Sequence, residues 1–174
     1  MGLLDSVADV LKQYQSGAGQ VPGNVDQHFD QVAQAAPQGT LADGIAAAFR
    51  SSQTPAFGQM VGGLFGQSNG DQKAAMLNQL IGAVGPSVLA SVAGGAGGGL
   101  LSSLLGSGGQ ISAQQAQQIS PEQVQQLAAH AEKADPSIID KASSFYAQHP
   151  TLVKTLGGAA MSIALAKMAE RQRG

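Results

Sequence analysis

Residues 66–70 read Gly-Gln-Ser-Asn-Gly, which matches the motif that presents the nucleophilic serine of α/β-hydrolases. That motif requires a strand before the serine and a helix after it, so that a tight turn exposes the hydroxyl group. The residues before Ser68 have the apolar spacing of a helix instead, and Asn69-Gly70 is an ordinary turn signal. The sequence therefore predicts no hydrolase, and we expect a protein that is not an enzyme.

Asp26, His28 and Asp30 stand at alternate positions and resemble the ligands of a metal ion. Successive residues of a helix are 100° apart, so the two carboxylates share a face while His28 points roughly 160–200° away from them. The other histidines, His130 and His149, show no ligand spacing with His28, and the chain has no cysteine. We expect no metal ion and no other cofactor.

Charged residues are scarce, at 11% of the chain compared with about 25% in an ordinary soluble domain. The net charge is −2, so copies of the chain repel one another weakly, which favours self-association. The nine basic residues are scattered without interleaved aromatic residues. That pattern argues against binding to nucleic acid.

The few charges are distributed unevenly along the chain. Residues 1–72 contain six acids against two bases and carry −4, whereas residues 150–174 contain four bases against one acid and carry +3. Opposite signs at the two ends are compatible with head-to-tail association of copies. Two separate solvated faces are the simpler interpretation, and from the sequence we favour it.

A long run without Asp, Glu, Lys, Arg or His covers residues 74–121. Gly, Ala, Ser and Leu predominate in this run, so the rest of the chain, other copies or lipid must cover it. The stretch that begins at Leu80 and ends at Leu105 is long enough to cross a bilayer. Pro86, several glycines and the lack of flanking Lys or Arg oppose a true span. A membrane-associated protein is therefore the alternative to a self-associating one.

Apolar residues recur at helical spacing through most of the chain, and no stretch shows the strict alternation of a surface strand. The sequence predicts an all-α protein, a compact bundle of about eight short helices joined by glycine and proline turns. We expect an amphipathic helix over residues 1–16, a glycine-rich linker over 17–23, a helical core over 24–109 and a C-terminal helical segment over 110–174 of the same domain. The last helix is predicted to run unbroken from about residue 151 to 171.

Several helix starts can be assigned from capping residues. A serine followed three residues later by glutamine predicts two starts, at Ser112 and Ser120. Thr40 with Asp43 predicts a third start, and Thr54 before a proline predicts a fourth.

Glycine recurs every fourth residue on one predicted helix, at Gly58, Gly62 and Gly66. Each interior glycine costs a helix about 1 kcal/mol relative to alanine, so the stripe indicates a packing face within the subunit or between subunits. A second stripe with this spacing consists of Ser87, Ser91, Gly95 and Gly99. The residues chosen as interface candidates are Gly58, Gly62, Gly66, Phe57, Val61, Phe65, Leu4, Val7 and Leu11.

The first seven residues, Met-Gly-Leu-Leu-Asp-Ser-Val, resemble the start of YidB-like bacterial proteins. Residues 77–80, Leu-Asn-Gln-Leu, stand in a glycine-rich body that is similar to theirs. That family is all-helical and of uncharacterised function, and it offers no catalytic residues to transfer. The resemblance implies a bacterial, cytoplasmic, helical protein.

Our leading hypothesis is a non-enzymatic, all-α protein that assembles with copies of itself into a filament, tube or shell. Its partner is the chain itself, and we identify neither nucleic acid nor a small-molecule substrate. The first helix is a candidate for exchange between subunits across the 17–23 linker. Leucine at both Gly58 and Gly62 is expected to abolish assembly while leaving a helical fold.

Overall fold

A computed structural model of the chain describes residues 2–15, 22–85 and 110–173, and helices make up most of these residues. In chain order the α-helices are α1 (Leu3–Tyr14), α2 (Val25–Ala35), α3 (Gln38–Arg50), α4 (Phe57–Gln67), α5 (Gly70–Ala83), α6 (Ala113–Gln117), α7 (Pro121–Ala134), α8 (Ile138–Ala147), α9 (Pro150–Val153) and α10 (Gly158–Arg173). No strand occurs in these three ranges. The predicted all-α class is confirmed.

The chain divides into two compact units. Unit 1 consists of Met1–Ala56 and Ala142–Gly174, and unit 2 consists of Phe57–Lys141. Both ends of the chain thus build unit 1, and unit 2 is the segment between them. The boundaries expected from composition do not coincide with this division, since the expected core over residues 24–109 contributes to both units.

Unit 1 is organised around α10, which packs against α1, α2 and α3. Buried residues follow one another along α10 at Ala160, Met161 and Ser162, so this helix is enclosed on several sides rather than on one face. It approaches α3 closely at Gly44, where an added Cβ atom would lie 2.7 Å from the carbonyl oxygen of Ala164. Only glycine permits two helix backbones to touch at that point.

The helix predicted over residues 151–171 is interrupted. A 3-10 helix at Lys154–Leu156 follows α9, and α10 begins only at Gly158. Gly157 has a φ angle of +93°, a conformation that L side chains rarely adopt, and it ends the helical path. The prediction of one continuous helix was therefore wrong, because it treated Gly157 as an ordinary helical residue.

Unit 2 contains an antiparallel helix pair, α4 with α7, and α5 packs on α6 and α7. The side-chain amide of Asn78 holds both backbone groups of Ile111: its Nδ2 donates to the Ile111 oxygen (3.2 Å), and its Oδ1 accepts from the Ile111 nitrogen (2.9 Å). Leu77 and Leu80 beside it are fully buried. On both described flanks of the charge-free run, most of the apolar side chains are therefore buried inside this unit.

Two of the predicted helix caps are confirmed. The hydroxyl groups of Ser112 and Ser120 accept hydrogen bonds from the third helical residue, and both capping boxes close reciprocally. The other two predictions were wrong: α3 begins at Gln38, before Thr40, and the hydroxyl of Thr54 donates to the carbonyl oxygen of Ala48 (2.6 Å) at the end of α3.

Candidate interaction surfaces

Two glycines of the predicted stripe face α7 of the same chain. An added Cβ atom at Gly58 would lie 2.6 Å from the carbonyl oxygen of Gln125, and one at Gly62 would lie 2.9 Å from that of Pro121. Real Cβ atoms essentially never approach so closely, so glycine is required for this helix spacing. Of the two interpretations of the stripe, the structure places it inside the subunit.

The neighbouring candidates on α4 are also covered by their own chain. Phe57, Val61 and Phe65 are at most 1% exposed. Gly66 is exposed, and an added Cβ atom there would make ordinary contact, 3.6 Å from the ring of Pro121. The choice of Gly58 and Gly62 as an interface between copies is thus corrected, because a second copy has no access to them while α7 is in place. Gly66 stays accessible.

The remaining interface candidates lie on α1. Val7 and Leu11 are buried in unit 1, where α1 packs on α10 and α2, and the side chain of Leu4 lies outside the described part of the structure. The opposite face of α1 exposes Asp5 and Asp9. We call these two residues the acidic face of α1.

A groove of about 630 Å³ runs beside the contact between α3 and α10. Its lining residues are Asp43, Ala46, Ala47, Arg50, Lys167, Glu170 and Arg171. Arg171 pairs with Asp43, and the Lys167 ammonium lies 3.0 Å from the Glu170 carboxylate. Three bases against two acids leave a positive excess in what we call the basic groove. Sequence reasoning missed it because α3 and α10 are distant in sequence, and only the basic bias of residues 150–174 was visible.

His28 joins α1 to α2 in a buried polar cluster. The Tyr14 hydroxyl lies 2.9 Å from its Nδ1, and the amide of Asn24 lies 2.9 Å from its Nε2, so both ring nitrogens are engaged. Asp30 binds the Lys154 ammonium instead (2.7 Å), and this hydrogen bond raises the pKa of Lys154. The described residues include no group of three or more side chains placed to hold a metal ion.

The hydrolase-like serine is turned inward. The Ser68 hydroxyl donates to the carbonyl oxygen of Leu64 (2.7 Å), and the residue is buried at the end of α4. Of the other two histidines, His130 is exposed on α7, and the His149 ring lies 4.9 Å from the Phe145 ring. Ser68 and His149 thus each make local contacts within their own stretch of chain.

Residues 57–126 of unit 2 expose neutral amides where most proteins expose charges, whereas the charges of this unit are concentrated in residues 127–141. We call its exposed glutamines the glutamine surface: Gln59, Gln67, Gln110, Gln114, Gln117, Gln118 and Gln126. Between residues 57 and 126, the charged residues are Asp71, Lys73 and Glu122. Because each glutamine side chain both donates and accepts hydrogen bonds, it can pair with an identical side chain.

Within the three described ranges, no helix has both the length and the apolar content needed to cross a membrane. Most of the stretch from Leu80 to Leu105 lies outside those ranges, as do Ser87, Ser91, Gly95 and Gly99 of the second stripe. Comparisons with protein-family models, curated proteins and solved structures find no match to this chain. The resemblance to YidB-like proteins stays a prediction.

Proposed function

We propose that this protein is a non-enzymatic, self-associating component whose partner is a second copy of the chain. The observation that carries the proposal is the glutamine surface, that is, the exposed glutamines on or beside α4, α6 and α7, in a span that contains three charged residues. Glutamine side chains can form hydrogen bonds with identical side chains of a second copy. The glutamine surface replaces Gly58 and Gly62 of the α4 stripe as the candidate contact, since α7 already covers these two glycines.

Two physical properties make the glutamine surface suitable for self-association. A surface with few charges imposes little electrostatic repulsion when it meets its own copy. Glutamine does not titrate, so this property does not change with pH. Between Gln59 and Gln67 of α4 the exposed residues are Gly63 and Gly66, which have no side chain to keep a second helix away.

The contacts of Ser68 and His28 support the proposal that the protein is not an enzyme. The Ser68 hydroxyl donates a hydrogen bond to the carbonyl oxygen of Leu64 in the last turn of α4. Both ring nitrogens of His28 have partners, the Tyr14 hydroxyl and the Asn24 amide. Each of these groups therefore stabilises helices rather than facing a cleft.

The test is light scattering coupled to size-exclusion chromatography over a hundredfold concentration range, without detergent. We expect the mass to rise above the 17.5 kDa of one chain. Gln114→Lys with Gln118→Lys adds two positive charges one turn apart on the glutamine surface, and we expect association to weaken by about tenfold or more. A wild-type protein that stays monomeric throughout contradicts the proposal.

The matched control is Gln27→Lys with Gln31→Lys, which adds the same charges at the same spacing on the exposed side of α2. We expect it to associate as the wild type does. Equal weakening in both variants would mean that net charge matters and the location does not. Flotation with vesicles of phosphatidylcholine and phosphatidylglycerol tests the membrane-associated alternative, and a monomer that floats with them would favour it.

A further inference from the structure

We infer that the basic groove of unit 1 receives the acidic face of α1 from a second copy, so that copies join head to tail. This inference rests on the proposed self-association but uses a different surface from the glutamine surface. Its two halves, Asp5 and Asp9 on one side and Lys167 and Arg171 on the other, belong to separate elements of unit 1. The contact is electrostatic, whereas the proposed contact of unit 2 is neutral.

The charged groups of the two halves have the same spacing. Asp5 and Asp9 are four residues apart on α1, and Lys167 and Arg171 are four residues apart on α10. Four residues advance a helix by about 6 Å, so both carboxylates can meet both bases when the two helices lie side by side. Arg50, at the end of α3, adds a third base to the same groove.

The floor of the groove leaves room for an approaching helix. Ala46 and Ala47 carry only methyl groups, and the groove measures about 630 Å³. Gly44 fixes one wall against α10, because its contact with Ala164 leaves no space for a side chain. The groove is therefore a preformed feature of the α3–α10 pair.

The bases of the groove are already paired within the chain, but these pairs are exposed and can exchange partners. The side chains of Lys167 and Glu170 are 51% and 66% exposed, and those of Arg171 and Asp43 are 58% and 44% exposed. On α1, Asp9 is exposed too, and its carboxylate lies 3.2 Å from the Lys12 ammonium. Exposed ion pairs of this kind contribute little to stability, so replacing one partner with a carboxylate from another copy is not opposed by the fold.

The contact must form between copies rather than within one. Val7 and Leu11 of α1 are buried in unit 1, where α1 packs on its own α10, and Asp5 and Asp9 lie on the opposite side. The acidic face of α1 therefore points away from the chain's own α10. Because the two surfaces differ, each copy can use both at once, which generates a ring or an open filament.

Charge reversal tests the inference on the full-length protein. We expect Asp5→Lys with Asp9→Lys, and separately Lys167→Glu with Arg171→Glu, each to weaken wild-type association by about tenfold at low salt. Mixing the two variants in equal amounts restores opposite charges across every contact, so we expect the mixture to assemble as the wild type does. Circular dichroism of each variant checks that it is folded. Asp71→Lys, at an exposed position of unit 2, controls for net charge, although it changes the charge by +2 and each double variant changes it by 4.

The outcomes separate this inference from the proposed function. Recovery in the mixture, together with weaker wild-type association at 0.5 M salt than at 0.02 M salt, supports the head-to-tail contact. Wild-type assembly that persists in both reversed variants overturns the inference and leaves the glutamine surface as the contact. Loss of assembly in both variants without recovery on mixing also overturns it. A wild type that is monomeric at every salt concentration contradicts the proposed function itself.

Discussion

At the scale of single residues, the two tyrosines illustrate opposite uses of a phenol in a helical core. The Tyr14 hydroxyl has a partner, the Nδ1 of His28. The Tyr146 hydroxyl is fully buried between aromatic rings, and no described residue forms a hydrogen bond with it. A buried polar group without a partner has lost its hydrogen bonds to water and gained none in return. The Tyr146 hydroxyl therefore destabilises the fold, whereas the Tyr14 hydroxyl stabilises it.

Phenylalanine at these two positions is therefore expected to change stability in opposite directions. We expect Tyr146→Phe to raise the free energy of unfolding at pH 7 by about 1 kcal/mol, and Tyr14→Phe to lower it by about 1 kcal/mol because His28 loses its partner. Urea unfolding followed by circular dichroism measures both. A loss of stability in both variants would contradict the structure around Tyr146.

The burial of Tyr146 also predicts how the stability of the fold changes at alkaline pH. Burial raises the pKa of Tyr146 above the ordinary value of 10, so the unfolded chain releases this proton at a lower pH than the folded chain does. The folded state therefore binds more protons above pH 10, and stability is fully present below that pH and falls as the pH rises beyond it. The Tm of Tyr146→Phe should fall less steeply than that of the wild type between pH 9 and 11.

At the scale of elements, two glycines of α4 with contrasting surroundings test the helix pair. Gly58→Ala places a methyl group 2.6 Å from the carbonyl oxygen of Gln125, and we expect it to lower the free energy of unfolding by about 1–3 kcal/mol. Gly63→Ala meets nothing within 4 Å and removes a flexible residue from the same helix, so we expect a gain of about 0.5–1 kcal/mol. Thermal unfolding of both variants gives the comparison.

Leucine at both Gly58 and Gly62, which the sequence suggested as a test of assembly, would instead change the packing within unit 2. Leucine side chains at Gly58 and Gly62 would collide with the backbone of α7 and disrupt unit 2. A loss of assembly in this variant would therefore not identify an interface between copies. Equal stability of Gly58→Ala and Gly63→Ala would show that α7 does not lie where the structure places it.

Local sequence patterns such as capping motifs predicted the helices well, but they did not predict which helices pack against each other. The serines at 112 and 120 were found because the capping box is contained within four residues. The pairing of Asp43 with Arg171 was not found, nor was the bond from Thr54 to the end of α3, because both depend on contacts that the local pattern does not encode. For the same reason the glycine stripe was recognised as a packing face, while its partner α7, about 60 residues further along the chain, was not.

At the scale of the whole molecule, the two units differ in which segments of the chain they need in order to fold. Unit 1 takes its first helices from one end of the chain and α10 from the other, whereas unit 2 is continuous in sequence. Within unit 1, α10 is the helix against which α1, α2 and α3 pack. Unit 1 therefore needs both chain ends, and unit 2 needs neither.

A chain truncated after Gly157 tests this dependence, because it removes α10 and leaves unit 2 intact. Without α10, the buried faces of α1, α2 and α3 lose the apolar partner that makes burial favourable, and helices of this length are marginal alone. Hydrogen exchange should then become fast in Val25–Ala35 and Gln38–Arg50. Protection in Phe57–Gln67 and Pro121–Ala134 should persist, since the α4–α7 contact is contained within unit 2. Exchange that becomes uniformly fast in all four helices would mean that the two units unfold together, which would contradict the independent stability expected of unit 2.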